Sequence, residues 1–503
     1  MLGGVLQSAS AFSLLGPFKD ARFDGEPWQD LGFGGQPRGL GYRLIGDIGG
    51  PMFPFEAYRW NVPVITYAYD FTFLRYFGTN GVAAVEEAIA ILNALPPASR
   101  MSEDLSEYPL DTRSANPTAA ELGLLDVRST ALSAMLEQMG LAKPERFVWG
   151  LRGRFTFQNT TNYSVIQMNY DPITIQPSRF VNGVLYNYQI FDALGRQGDE
   201  WASAIEWYQL DPLYQPYSAV AGGVGAGDFQ LGSSPGNPAV TFTSGRGGLL
   251  DGDYYTGLTR DDVGGLRYLL STNNMVFETL PTTVLPRSGG ANGSPWAPVI
   301  AIGLTNGAGL SNLVSTIGTN LTNFVRTALR PGLDKLTFQR VGLLANTFNP
   351  ITLRYTDRFI NPTNGRIVKQ PVERLVTSPD IIFSVRDIGL AANSAVPNIY
   401  RRTNTDGWTN NAALNTFNGT FSLGIGGPGN ITPGIEIIFQ DLYSYWSELG
   451  DGSIEDEFSK AATWGYFDGS TRPPVVFPIY TDPVRPEFSL EYLQDVVLKK
   501  TGN

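Results

Sequence analysis

Residues 131–143 read ALSAMLEQMGLAK. Leu132, Met135, Leu136 and Met139 recur at helical spacing and fall on one face. Asp126 precedes the pattern, and Gly140 is the residue type that turns a chain out of a helix. Two further helices flank this one. Asn80 can cap a helix over Gly81–Leu95, with Val82, Val85, Ile89 and Leu92 on its buried face and Pro96-Pro97 ending it. Thr259-x-x-Asp262 resembles a capping box that opens a third helix, buried through Val263, Leu266, Leu269 and Leu270. Upstream, Pro63–Asp70 (PVITYAYD) alternates β-branched and aromatic residues and reads as a strand. Residues 101–117 read as loop, and residues 146–250 as strand and loop rich in Gly, Tyr, Asn and Pro.

The second half changes character. Pro281–Pro298 is rich in Pro, Gly and Ser and reads as a linker. Leu310, Leu313, Ile317, Leu321 and Phe324 suggest one amphipathic helix. Lys335–Val341, Ile351–Ile360, Arg366–Thr377, Asp380–Ile388, Thr420–Ile425, Gly434–Asp441 and Val475–Ile479 read as strands separated by turn signals such as Asn361-Pro362. The expectation is an α+β chain in two domains. Residues 12–280 carry helices packed on a mixed sheet, with long insertions. Residues 281–298 form the linker, and residues 299–503 form a β-rich, sandwich-like domain with one N-terminal helix.

The composition excludes much chemistry. At about 150 residues per domain, 503 residues suggest two to four domains. The chain has no Cys and no His. Ser-His-Asp and Cys-His catalysis, thiolate metal sites and disulfides are therefore impossible within it. A net charge of −11 without a basic cluster argues against nucleic-acid binding. No segment approaches about 18 consecutive apolar residues, so no transmembrane segment is expected. Ala9-Ser10-Ala11 has the form of an export cleavage signal. Residues 1–11 read as the remnant of a signal peptide, which places the protein outside the cell or on its surface.

Three segments together resemble matrixin-type metzincin metallopeptidases. Trp60-Asn61-Val62-Pro63-Val64-Ile65-Thr66-Tyr67 followed by Asp70 is similar to the family's opening strand, W-x-x-P-x-I-T-Y-x-x-D. Ala131–Lys143 has the frame of the zinc helix, A-L-H-E-x-x-H-x-x-G-L-x-H. Leu258–Leu269 (LTRDDVGGLRYL) is similar to the closing helix. On that frame the ligand positions fall at Ser133, Glu137 and Lys143, and the general base at Ala134. None of these can rebuild the zinc site. The resemblance thus implies a metzincin-like domain without catalysis, sealed by Met135, Leu136 and Met139, in which Glu137 and Lys143 can pair where the metal would lie. AFSLLGP (Ala11–Pro17), DIGGPM (Asp47–Met52) and Leu258–Leu270 also resemble exported protein families of Verrucomicrobia-like bacteria.

Other candidates carry a weaker signal. Asp251, Asp253, Asp261 and Asp262 offer the oxygens a Ca²⁺ ion requires, though not at EF-hand spacing; no other cofactor is implied. Tyr443, Tyr445, Trp446, Trp464, Tyr466 and Phe467 could stack on a glycan or pack in a core. Glu448, Asp451, Glu455, Asp456 and Glu457 could serve a carboxylate hydrolase or face solvent. The function expected is a non-enzymatic structural or interaction protein, exported and assembling with itself or with surface proteins and glycans. A glycan-binding or adhesive module is the alternative, and a carboxylate-dependent hydrolase a further one.

Overall fold

In the computed structural model the described residues are 11–16, 50–52, 54, 58–142, 144, 148, 150–157, 160–192, 202–209, 251–287, 324–343, 347–388, 400–403, 409–410, 429–441 and 463–477. They build an α+β fold of helices and several sheets. The helices are α1 (Phe71–Ala94), α2 (Pro117–Glu121), α3 (Val127–Gln138) and α4 (Arg260–Leu270). The largest sheet contains β1 (Val64–Tyr69), β2 (Thr337–Arg340), β3 (Ile381–Arg386), β4 (Tyr400–Thr403) and β5 (Ile435–Gln440). Its order is β2-β1-β3-β5-β4. The first four strands in that order run parallel, and β4 closes the edge antiparallel.

This sheet corrects the expected domain plan. β1 lies before the expected 281–298 boundary, and its two neighbours both lie after it. The central hydrophobic core likewise contains residues from Phe12 to Phe477. Of the strands expected in a separate sandwich, β2 and β3 instead pair with β1 and β5 pairs with β3, so the mixed sheet expected within 12–280 is completed from outside it. The physical reason is burial on both faces, which parallel sheets need. On β3 and β5, Ile381, Phe383, Ile437 and Phe439 are fully buried on one face, and Ser384, Ile438 and Gln440 are buried on the other. α1 covers one face, placing Phe73 5.8 Å and Phe77 5.5 Å from the ring of Phe439.

α1 begins earlier than expected. Asp70 caps it by accepting from Phe73 N at 2.9 Å, and the helix breaks at Gly78, where φ is 58°. The portion beyond the break matches the expected 81–95 helix. α3 and α4 follow the sequence reading closely. Asp126 caps α3, Gly140 turns the chain out at φ +98°, and Thr259 and Asp262 form the reciprocal capping box of α4. A Cβ on Gly140 would meet the Tyr58 carbonyl at 2.5 Å, so both backbone angle and space require glycine there.

Ile351–Ile360 and Ile367–Val376 form one long antiparallel hairpin in unbroken register. Val284–Pro286, inside the stretch expected as a linker, adds a third strand beside Val372–Arg374. One hairpin face is anchored to the body by buried ion pairs. Arg330 donates to both oxygens of Asp357 at 2.9 and 3.0 Å; within the body, Arg59 donates to Glu278 at 2.6 Å. Arg374 pairs in bidentate fashion with Asp380, which also accepts from Thr66 N and Oγ1 of β1. The helix expected over 310–324 and the strand over Thr420–Ile425 lie outside the described residues, Phe324 excepted.

Candidate functional site

α3 is buried along nearly its whole length, not on one face alone. Ser133 and Ala134 are fully buried and Glu137 is 3% exposed. Met135, Leu136 and Met139 are in the core. Trp60 closes the helix end, its indole Nε1 donating to the Gln138 carbonyl at 2.7 Å. Lys143 lies outside the described residues, and the expected Glu137–Lys143 pair with it. At the other end, Asp126 Oδ2 accepts from Ser129 N at 2.9 Å and Ser129 Oγ at 2.5 Å. Ser129 Oγ in turn accepts from Tyr255 N at 2.8 Å. Burial pushes the Asp126 carboxyl up to about 6, against the opposing pull of Arg128 and the Ser129 hydrogen bonds.

The four aspartates expected around calcium are engaged separately. Asp261 accepts from Ala11 N at 2.7 Å and Asn182 N at 2.5 Å. Asp262 closes the capping box on Thr259, and burial holds its carboxyl well above the usual range. Asp253 lies 3.3 Å from Arg113. Asp251 is exposed. Among the described residues no group of three or more carboxylates stands close enough to hold an ion. The expected gathering of these four is thus corrected. Asp262 lies at the helix N-terminus with its own cap to make, and Asp253 lies on a strand paired to Arg113–Ala115.

The aromatic run divides. Trp464 is fully buried, donates from Nε1 to the Gln440 carbonyl at 3.0 Å and packs on Phe439. Phe467 is buried against Tyr254. These two rings are core rather than a stacking platform. Tyr443, Tyr445, Trp446 and the carboxylates from Glu448 to Glu457 lie outside the described residues.

A polar cluster unforeseen from the sequence sits where α1 crosses the sheet. Glu86 accepts from the hydroxyls of Tyr67 at 2.6 Å and Tyr69 at 3.0 Å. Arg340 of β2 stands 3.5 Å from Glu86 and 5.1 Å over the Tyr69 ring. Burial, and then the Glu86 carboxylate, push both phenols far above their ordinary value. They therefore stay protonated donors, and neither is activated as a nucleophile. Beside it, Glu87 accepts from Tyr466 at 2.5 Å and pairs with Arg128 at 3.2 Å. Neighbouring glutamates of one helix are thus tied to the sheet and to α3. Tyr67 and Tyr69 alternate correctly for one strand face, but nothing local in the sequence pairs them with Glu86. Both clusters fasten elements together.

Compared with protein-family models, curated proteins and solved structures, the chain matches none.

Proposed function

We propose that this protein is a non-enzymatic structural or interaction protein, exported to the cell surface or beyond, and that it assembles with copies of itself. The observation that carries the reading is the burial of Ser133, Ala134 and Glu137 in the core. A substrate has no approach to the helix on which the metzincin-like frame would put its chemistry. The absence of His and Cys removes the common nucleophile–base pairs elsewhere in the chain. The conspicuous Tyr–Glu clusters hold their phenols protonated and join α1 to its neighbours. Such a molecule has surfaces rather than a reaction centre to offer. Low charge content, at 17%, with abundant Gly, Thr and Asn, suits protein–protein contact.

Light scattering and electron microscopy on the full chain, with and without Ca²⁺, test the proposal. Regular polymers that grow with protein concentration are expected. A monomer at every concentration overturns the reading.

A further inference from the structure

Alternation puts Arg354, Thr356, Arg358 and Ile360 on one face of the hairpin, opposite Glu373, Pro371, Lys369 and Ile367. The other face carries Asp357, which is anchored to Arg330 in the body. On the outward face Arg354 pairs with Glu373 at 3.3 Å. Arg358 and Lys369 face each other across the strands, both exposed, and exposed Arg366 stands at the turn. Among the described residues none of these three cations has an ion-pair partner. Like charges directly opposite one another destabilise a strand pair. Ile367, on the same face, is 54% exposed. A facing pair of cations beside an exposed isoleucine leaves positive charge that an external anion can offset.

The chain is acidic, with a net charge of −11, and it carries a matching surface. Exposed Glu103, Asp104 and Glu107 gather with Asp171 around Arg267. Arg267 donates to the main-chain carbonyls of Ser102, Glu103 and Pro172, holding these loops together. Four carboxylates therefore lie near one half-buried guanidinium that is itself spent on main-chain carbonyls. Ile173, 49% exposed, lies in the same loop. One surface is a basic patch with an exposed isoleucine, and the other is an acidic patch with an exposed isoleucine.

Resting on the reading that the chain assembles with itself, we propose that the outward hairpin face of one copy docks on the Glu103–Glu107 and Asp171 surface of a second. The two surfaces differ, so a docked pair keeps one of each free. The contact is head-to-tail and repeats into a ring or an open chain. Two acidic molecules repel at long range, and alignment of the opposed patches selects the orientation.

Sedimentation velocity on the full chain, at low and high salt, tests this with two variants. R358E/K369E reverses the hairpin, and E103K/E107K reverses the loop surface. Exposed substitutions of this kind change stability little, and circular dichroism checks the fold. Wild type should assemble, less so in high salt. Each variant alone should assemble at least about tenfold more weakly. An equimolar mixture should recover assembly, because reversed hairpins then meet reversed loops. Variants that assemble like wild type overturn this surface while leaving self-assembly standing. If wild type also stays monomeric, both readings fall. Retention of wild type but not of R358E/K369E on a sulfated polysaccharide, without self-association, would overturn the proposal and assign the face to a polyanion.

Discussion

Asp126 combines two roles that pull against each other. Its carboxylate caps α3 through Ser129, yet it is 1% exposed, and burial raises its value against the cap's favour for the charged form. An acid whose folded pKa exceeds its unfolded value of 3.8 binds its proton more tightly in the native state. Its contribution to stability is fully present below that unfolded value and is lost as pH rises through about 6. Asn caps a helix about as well as Asp but does not ionise. Urea unfolding of Asp126→Asn should therefore show a flatter pH profile than wild type between about pH 4 and 6. The variant should gain up to about 3 kcal/mol on wild type across that window. An unchanged difference at all pH values would show that Asp126 does not titrate there. At this scale the sequence was informative: Asp126 precedes an apolar helical pattern, and Thr259 with Asp262 forms a capping box readable from four letters. Which carboxylate is buried was not readable, because burial depends on distant chain.

Among the elements, α3 shows what periodicity reveals and what it hides. The Leu132, Met135, Leu136 and Met139 stripe located the helix, and Gly140 located its end. The pattern did not disclose that Ser129, Thr130 and Ser133 are buried as well, since small hydroxyl residues look polar in sequence yet fit a tight core. Ala134 is the sharpest probe. Ala134→Glu places a carboxylate in the packed interior, where Ala134 is fully buried in the hydrophobic core. Denaturant unfolding should record a loss of several kcal/mol, or no folded protein. A tolerated variant would show that α3 borders a cavity. α1 teaches the converse. Its first two turns were missed because Phe71–Phe77 carries a dense aromatic run before a glycine, and only the cap on Asp70 marks the start. The hairpin was legible to within a residue at each end, because its turn, alternation and partner are adjacent in sequence.

For the whole molecule, legibility fails where contacts are remote. No local signal tells that β1 pairs with β2 and β3, and a Pro/Gly/Ser-rich stretch between them looked like a boundary. The Arg374–Asp380 pair ties these distant parts together. Arg374 also donates to the Val64 carbonyl at 3.1 Å, and Asp380 receives Thr66 N at 2.8 Å. Arg374→Ala leaves the Asp380 carboxylate buried without its cation. A loss of about 3–5 kcal/mol is expected, measured by urea unfolding. A loss below about 1 kcal/mol would mean that the hairpin and β1 are held by apolar packing alone.

The placement of β1 also sets a clock. β1 ends at Tyr69, and its first sheet partner starts at Thr337, 268 positions later (337 − 69). At about 5–20 residues per second, a ribosome takes roughly 15–50 s to deliver that partner. Throughout that interval α1 has no completed sheet to rest on, and the nascent chain keeps apolar strand surface that any holdase can grip. A chain whose largest sheet closes so late in synthesis leaves that strand surface open to any other strand for most of the time it is being made.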